Sequence, residues 1–140
     1  MDKIRVLFLC IANSARSQMA EALLREYGGE KFEVYSAGLE PMDIHPLARK
    51  VMAEIGLDMH GQYAKSLMDY MGKKHFSYLI TVCSQAEKMC PTTFPGMGQR
   101  LHWNIENPEL FQGSEEARLN KFREIRDQIS DRIKNWMKTL

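Results

Sequence analysis

The chain alternates strand-like and helix-like segments, and this alternation constrains its fold more than any other feature. Residues 4–9 are apolar at almost every position and rich in branched side chains, which is typical of a strand covered on both faces. Apolar residues then recur at helical spacing from Met19 to Tyr27 and stop at a glycine pair. The chain therefore begins as strand, loop and helix, with the first strand expected at the centre of a sheet.

The rest of the sequence continues the alternation. The predicted segments are a strand at 32–36, a helix at 46–55, a short helix at 64–71, a strand at 76–83, a short helix at 85–88, a strand at 100–104 and a long helix capped by Ser114. Such an order favours a parallel sheet with helices on both sides. We expect an α/β fold, a three-layer α/β/α sandwich with a four-stranded parallel sheet, as a single domain over residues 1–140.

Composition limits the classes of partner. The 140 residues carry 19 basic and 18 acidic side chains, a net charge of +1, so there is no electrostatic basis for binding nucleic acid or a membrane surface. No apolar run reaches the length of about 18 residues that a membrane span needs. Three cysteines cannot all pair within one chain. We therefore expect a cytoplasmic protein with thiols that are reduced at rest. We also expect a monomer.

The segment that follows the first strand carries a thiol and a guanidinium six positions apart, Cys10 and Arg16. Backbone N–H groups of such a loop can converge on a tetrahedral oxyanion, which Arg16 would clamp. The same positive field should lower the pKa of the Cys10 thiol, with a hydrogen bond from Ser17 to the sulfur. Asn13 tolerates left-handed backbone geometry and is expected to hold the loop in shape. The residues expected to form the oxyanion loop are Ile11, Ala12, Asn13, Ser14 and Ala15.

Two further cysteines, Cys83 and Cys90, lie seven positions apart across a predicted short helix. Zinc sites usually contain closer pairs, so no metal site is predicted. Inert buried thiols and a redox pair both remain open, since thiols in reach of one another can pass a disulfide along. A helix holding both ends would separate them by about 10 Å, whereas a disulfide needs α-carbons within about 7 Å. The segment must therefore unwind to form a disulfide, and Pro91 fits a helix end there.

Residues 10–21, CIANSARSQMAE, resemble the phosphate loop of the low-molecular-weight tyrosine phosphatase superfamily. The chain is more closely similar to the thioredoxin-coupled arsenate reductases built on that fold, and the likeness covers nearly its whole length. It includes residues 35–38, the Cys83 and Cys90 pair, residues 102–103 and the C-terminal helix. Two loop positions differ from the commonest family form, because Ala12 is often glycine and Ala15 is often cysteine.

The resemblance implies an oxidoreductase of arsenic resistance and detoxification that binds no cofactor. Cys10 would attack arsenate, Cys83 would act as the second thiol and Cys90 as the third, and thioredoxin would reduce the resulting redox-active disulfide. The Cys10 and Arg16 pair alone would also serve a phosphatase acting on phosphate monoesters. A catalytically silent module that binds arsenate or phosphate is the third alternative.

The sequence departs from the family pattern at Asn107, where the resemblance implies an aspartate that acts as general acid. An amide gives up no proton at neutral pH, and loss of such an acid often lowers rates by about 10²–10⁴. Glu106 is the nearest replacement along the sequence. The departure weakens a phosphatase assignment more than a reductase assignment, because arsenate exchanges its ligands readily.

A second departure concerns an ion. Some family members bind potassium beside the loop through residues that match Asn13, Glu21 and Ser36 together with an aspartate, and Lys65 stands at the aspartate's place. We expect the Lys65 ammonium to replace the ion by pairing with Glu21 and supporting Asn13. The alternative is a lysine that lies in solvent.

Overall fold

A four-stranded parallel sheet forms the centre of the computed structural model, which describes residues 3–90 and 96–140. Its strands are β1 (Ile4–Cys10), β2 (Phe32–Gly38), β3 (Phe76–Thr81) and β4 (Met97–His102), in the spatial order β2-β1-β3-β4. β1 is fully buried from Val6 to Leu9 between β2 and β3. The predicted parallel sheet with its first strand at the centre is confirmed.

Four α-helices lie in the described part of the chain: α1 (Arg16–Gly28), α2 (Pro46–Glu54), α3 (Ser84–Met89) and α4 (Glu115–Met137). The α2 helix begins with proline, as predicted, and the α4 helix is capped by Ser114 Oγ, which accepts the N–H of Ala117. The buried face of α4 consists of Leu119, Phe122, Ile125, Ile129, Ile133 and Trp136. No helix of residues 3–90 and 96–140 is both long and apolar enough to cross a bilayer.

The helices cover both faces of the sheet. The chain moves from β1 to β2 in one direction and from β3 to β4 in the other, so right-handed connections place α1 and α3 on opposite faces. α1 packs on β1, β2 and α4, whereas α3 packs on β1 and β3. The loops that follow β1 and β3 therefore meet at the carboxyl edge of the sheet, where ligands bind in folds of this kind.

Several predicted boundaries differ from the structure. The helix expected at 64–71 is wrong, because only Leu67–Asp69 forms a 3₁₀ turn, after the cap Ser66. The backbone of this segment is used elsewhere, since the Lys65 carbonyl accepts the N–H of Gly38 at the end of β2. β3 ends at Thr81, so Cys83 is the N-cap of α3 and not a strand residue. β4 begins three residues earlier than expected, and Pro91 lies outside the described residues.

Gly38 lies where β2 passes closest to the loop that follows β1. A β-carbon at this position would lie 2.7 Å from the carbonyl oxygen of Ile11 and 2.9 Å from the amide nitrogen of Asn13. Both are backbone atoms and cannot move aside as the end of a flexible side chain can. The close approach of strand and loop therefore requires glycine here.

We predict that Gly38→Ala lowers the free energy of unfolding by about 1–3 kcal/mol, the usual effect of adding a methyl group where there is no space. The same substitution should weaken phosphate binding, because the loop has to shift. Urea unfolding measures the first effect, and protection of Cys10 from alkylation by phosphate measures the second. An unchanged unfolding midpoint would contradict the close approach.

Candidate active site

The loop between β1 and α1 turns its carbonyl groups outward. The carbonyls of Cys10, Ile11, Ala12 and Ser14 accept the N–H groups of Leu39, Glu40, Met42 and His45, at 3.2, 2.8, 2.8 and 2.9 Å respectively. In a planar trans peptide the N–H of the next residue points opposite to the carbonyl. The loop amides that follow these carbonyls therefore face the other way, into the cavity that the loop surrounds. They form a concavity of N–H donors, an arrangement that can bind an anion.

The Cys10 thiol lies at the bottom of this loop, with only 3% of the residue exposed. Its sulfur lies 2.9 Å from Ser17 Oγ and accepts the Asn13 N–H at 3.1 Å. Burial raises the pKa of the Cys10 thiol above its ordinary value, although Ser17, Arg16 and the Asn13 amide each lower it. The expected lowering of this pKa is therefore wrong for this arrangement, because desolvation outweighs the hydrogen bonds and the nearby positive charge.

Asn13 holds the loop through its buried side chain. Its backbone has φ of 52°, the left-handed geometry that asparagine tolerates. Its Nδ2 donates to Ser17 Oγ at 2.8 Å and to Ser36 Oγ at 3.0 Å, and its Oδ1 accepts the Lys65 N–H and Gln18 Nε2, both at 2.9 Å. The amide thus joins α1, β2 and the segment before the 3₁₀ turn. Because Ser17 Oγ accepts from Asn13, its own proton is left for the Cys10 sulfur.

Lys65 and Glu21 form a buried ion pair next to this amide. The Lys65 ammonium lies 3.1 Å from Glu21 Oε1, and their side chains are 8% and 5% exposed. Ser36 Oγ donates to the same carboxylate oxygen, and Arg25 pairs with Oε2 at 2.7 Å. Lys65 therefore does not lie in solvent, and it connects to the loop through Glu21 and Ser36 as well as through its backbone.

The segment that joins β4 to α4 closes one side of the loop. Arg16 Nη1 donates to the carbonyl of Ile105 at 2.8 Å. Asn107 Oδ1 accepts the N–H of Glu109 at 3.0 Å and thereby caps a 3₁₀ turn, Pro108–Leu110. Glu106 points away, since its side chain is 57% exposed and pairs with Lys121 at 2.8 Å. The carboxylate next in sequence to Asn107 is therefore not the one that the structure brings to the loop.

A cavity of about 150 Å³ lies between the loop and this segment. It is lined by the loop residues 10–16 other than Asn13, by Gln85 of α3, and by Asn107 and Glu109. Its volume is well below the roughly 300 Å³ at which pockets for drug-sized ligands begin, and it suits a small anion. Among residues 3–90 and 96–140, no three histidine, cysteine or acidic side chains are placed to hold a metal ion together.

Two residues of this site were not singled out by the sequence analysis. Gln18 is fully buried and donates to the carbonyl and Oδ1 of Asn13 and to the carbonyl of Tyr63. Glu109 receives hydrogen bonds from Ser14 Oγ at both carboxylate oxygens, at 3.0 and 2.9 Å. An uncharged polar residue on the buried face of α1 was a usable signal for Gln18. For Glu109 the only signal was its place two residues after a capping asparagine.

The other two thiols lie at opposite ends of α3. Cys83 is the N-cap, and its sulfur accepts the N–H of Ala86 at 3.3 Å, while Cys90 is the C-cap. Both are 3% exposed, and neither is in a disulfide. Cys83 is close enough to Cys10 to raise the pKa of that thiol electrostatically. Burial raises the pKa of the Cys90 thiol as well, and Arg100 opposes this effect.

A polar cluster fixes α3 to the sheet between its two cysteines. Thr81 Oγ1 donates to Glu87 Oε2 at 2.5 Å and lies 2.9 Å from His102 Nδ1. Arg100 Nη2 donates to the Glu87 carbonyl at 2.7 Å and approaches the Glu87 carboxylate at 3.4 Å. The helix is thus held on β3 and β4, in the form that keeps the two thiols apart.

Comparisons with known proteins agree with this geometry. The family model described as low molecular weight phosphotyrosine protein phosphatase matches residues 5–140. An arsenate reductase of Oceanobacillus iheyensis is 41% identical over 140 residues, which cover 99% of each chain. A solved arsenate reductase in its phosphate-binding state superposes with a TM-score of 0.78 at 29% identity, covering 97% of this chain and 98% of that one. The thioredoxin-dependent arsenate reductase of Corynebacterium glutamicum superposes with a TM-score of 0.73 at 31% identity, covering 98% of this chain and 61% of that one.

We predict that Ser17→Ala raises the pKa of Cys10 further, because the hydroxyl stabilises the thiolate. A hydrogen bond to a charged group is worth about 1.5–3 kcal/mol, so the pKa should rise by about 1 or more. The measurement is the ultraviolet absorbance of the thiolate against pH, with Cys83 and Cys90 replaced by serine so that only Cys10 titrates. Ser77→Ala, near the amino end of β3, is the control. A pKa that stays the same or falls in Ser17→Ala would refute the assigned hydrogen bond.

Proposed function

The chain belongs to the low molecular weight phosphotyrosine protein phosphatase family, and we propose that its reaction is the reduction of arsenate to arsenite. The observation that carries this proposal is the placement of three thiols. Cys10 lies in the oxyanion loop, Cys83 lies near it, and Cys90 lies at the other end of the helix that Cys83 caps. Phosphate ester hydrolysis needs Cys10 and Arg16 but neither Cys83 nor Cys90. The names of the relatives support the same choice.

The first step forms a bond between sulfur and arsenic. Since burial raises the pKa of Cys10, the thiol is protonated at rest and passes its proton to the incoming hydrogen arsenate dianion. The thiolate then attacks arsenic while the loop amides and Arg16 hold the oxygens. One arsenic–oxygen bond breaks, and the hydroxide that leaves is protonated and released as water. An arsenate thioester of Cys10 remains. Arsenic is still pentavalent at this stage.

The second step transfers two electrons to arsenic. The Cys83 thiolate attacks the Cys10 sulfur, the sulfur–sulfur bond forms, and the electron pair of the sulfur–arsenic bond stays on arsenic. Trivalent arsenic leaves as arsenite, which takes up the proton of the Cys83 thiol and further protons from water. Cys90 then attacks Cys83, forming the Cys83–Cys90 disulfide and releasing Cys10. This exchange requires α3 to unwind, because an intact helix holds the two ends about 10 Å apart.

A dithiol reductant has to return the two electrons. We propose that thioredoxin reduces the Cys83–Cys90 disulfide, as the name of the Corynebacterium glutamicum neighbour states for that protein. Because all three thiols must be reduced at the start of each cycle, the reaction belongs in a reducing compartment, and we propose the cytoplasm.

Lys65 takes the place of a potassium ion in this proposal. Its ammonium contacts Glu21 at 3.1 Å, and Glu21 in turn accepts from Ser36, which accepts from Asn13. A fixed positive charge is thus present beside the loop without any bound cation. The loop shape then depends on a side chain of the protein and not on the salt composition.

We predict that Cys83→Ser and Cys90→Ser each lower arsenate turnover by about 10²-fold or more, since each removes a sulfur that the relay needs. The assay is arsenate-dependent oxidation of NADPH with thioredoxin and thioredoxin reductase as the only electron source. After one turnover, Cys90→Ser should accumulate a Cys10–Cys83 disulfide, and Cys83→Ser should accumulate no disulfide. Peptide mapping by mass spectrometry distinguishes the two.

The same variants separate the alternatives. A phosphatase would hydrolyse p-nitrophenyl phosphate equally well with and without Cys83 and Cys90, and would show no arsenate-dependent oxidation. A silent oxyanion-binding module would bind phosphate at the loop and show neither activity. Full arsenate turnover by either cysteine variant would refute the relay.

For Lys65 we predict turnover that is the same in potassium and sodium salts at equal ionic strength. Lys65→Ala should lower kcat/KM by roughly 10-fold to 10²-fold, because a loop displaced by even about 1 Å loses that much. It should also lower the free energy of unfolding by up to about 3 kcal/mol, since the Glu21 carboxylate keeps only Arg25 as an ionic partner. Lys50→Ala, on the exposed side of α2, is the matched control. Strong activation of the wild type by potassium would contradict the replacement.

A further inference from the structure

Glu109 is an acidic residue that lines the cavity in which we propose that an anion binds. Within residues 3–90 and 96–140, the ionisable residues that line this cavity are Cys10, Arg16 and Glu109. Ser14 Oγ, which belongs to the oxyanion loop, donates to both Glu109 carboxylate oxygens, at 3.0 and 2.9 Å. The carboxylate is therefore fixed next to the loop that would hold the substrate.

Two contacts fix the segment that carries Glu109. The Asn107 side chain accepts the Glu109 N–H at 3.0 Å and begins the 3₁₀ turn, with Pro108 supplying its preset backbone angle. Upstream of this turn, the Ile105 carbonyl accepts from Arg16 at 2.8 Å. The segment is thus tied to the loop at Arg16 and at Ser14. Asn107, which has no acidic proton of its own, places the Glu109 backbone.

An oxyanion and a carboxylate side by side repel one another unless a proton lies between them. Like charges in one site favour a state in which the pair shares a proton, and that proton belongs to the pair. Among the described residues that line the cavity, Arg16 is the one cation, and it offsets only part of the negative charge. The complex with arsenate or phosphate should therefore contain one more proton when Glu109 is present.

We propose that Glu109 is the general acid, which donates a proton to the oxygen that leaves arsenate. Asn107 cannot fill this role, because its amide gives up no proton. This inference rests on the proposed arsenate reduction. As the Cys10 sulfur–arsenic bond forms and the arsenic–oxygen bond breaks, the Glu109 proton moves to the departing oxygen, and water is released. Glu109 is left as a carboxylate, accepts the hydrogen bond of Ser14, and takes up a proton from solvent again when the next arsenate binds. Ser14 is a positioning residue in this step.

The first test is arsenate turnover with thioredoxin and its reductase. Glu109→Gln keeps the size of the side chain but has no acidic proton, and it should lower kcat by about 10²-fold. Glu109→Asp should recover part of the rate, and Glu116→Gln, on the exposed first turn of α4, should match the wild type. Unchanged turnover in Glu109→Gln would overturn the proposal. So would a result in which Glu106→Gln, and not Glu109→Gln, lowers kcat by this amount.

The second test does not depend on reductase activity. Calorimetry of inorganic phosphate binding in buffers of different ionisation enthalpy counts the protons taken up with the ligand. At slightly alkaline pH the wild type should take up on the order of one proton more than Glu109→Gln, because only the wild type has two anions to bridge. Equal uptake by both proteins, or no phosphate binding by the wild type, would overturn the proposal. A wild type that fails to reduce arsenate yet shows this difference would refute the reductase function and leave the proton-sharing site standing.

Discussion

The outward turn of the loop carbonyls is the constraint on which the rest of this site depends. Because the segment after β2 satisfies them, the loop amides can face the cavity without leaving buried carbonyls unpaired. The Asn13 side chain, fully hydrogen-bonded and in left-handed geometry, holds this arrangement from the other side. Gly38 lets β2 approach closely enough for both sets of contacts. The anion binding that we propose would thus depend on backbone geometry, and the near-zero net charge of the chain is no obstacle to it.

The three thiols are subject to two opposing requirements, which are protection at rest and contact with one another during the proposed relay. Cys10, Cys83 and Cys90 are each about 3% exposed, and burial raises the pKa of Cys10 and Cys90, so these two thiols are protected from chance oxidation at rest. The proposed relay nevertheless requires Cys83 and Cys90 to meet. Thr81, Glu87, Arg100 and His102 hold α3 on the sheet through hydrogen bonds and the Arg100–Glu87 ion pair. A helix of six residues has little stability of its own. This helix is therefore well suited to unwinding once a disulfide favours it.

Much of the fold and loop could be predicted from sequence, because local chemistry determines them. The buried first strand, the Ser114 cap and the left-handed Asn13 each follow from residue type and spacing. The predictions were wrong or incomplete where contacts between residues far apart in sequence determine the structure. The backbone of Lys65 pairs with β2 and Asn13, which prevented the helix expected at 64–71. The balance of burial against hydrogen bonds at Cys10, and the return of Glu109 to the loop, depend on packing that no spacing reveals.

The central claim is that one arsenate oxidises two thiols of this chain. The most direct measurement is the product of a single turnover: the reduced protein receives one equivalent of arsenate without thioredoxin, and free thiols, arsenite and disulfides are determined together. The account predicts one equivalent of arsenite, one remaining free thiol and a disulfide that joins Cys83 to Cys90. Three free thiols with no arsenite, or thiol loss without arsenite, would contradict it.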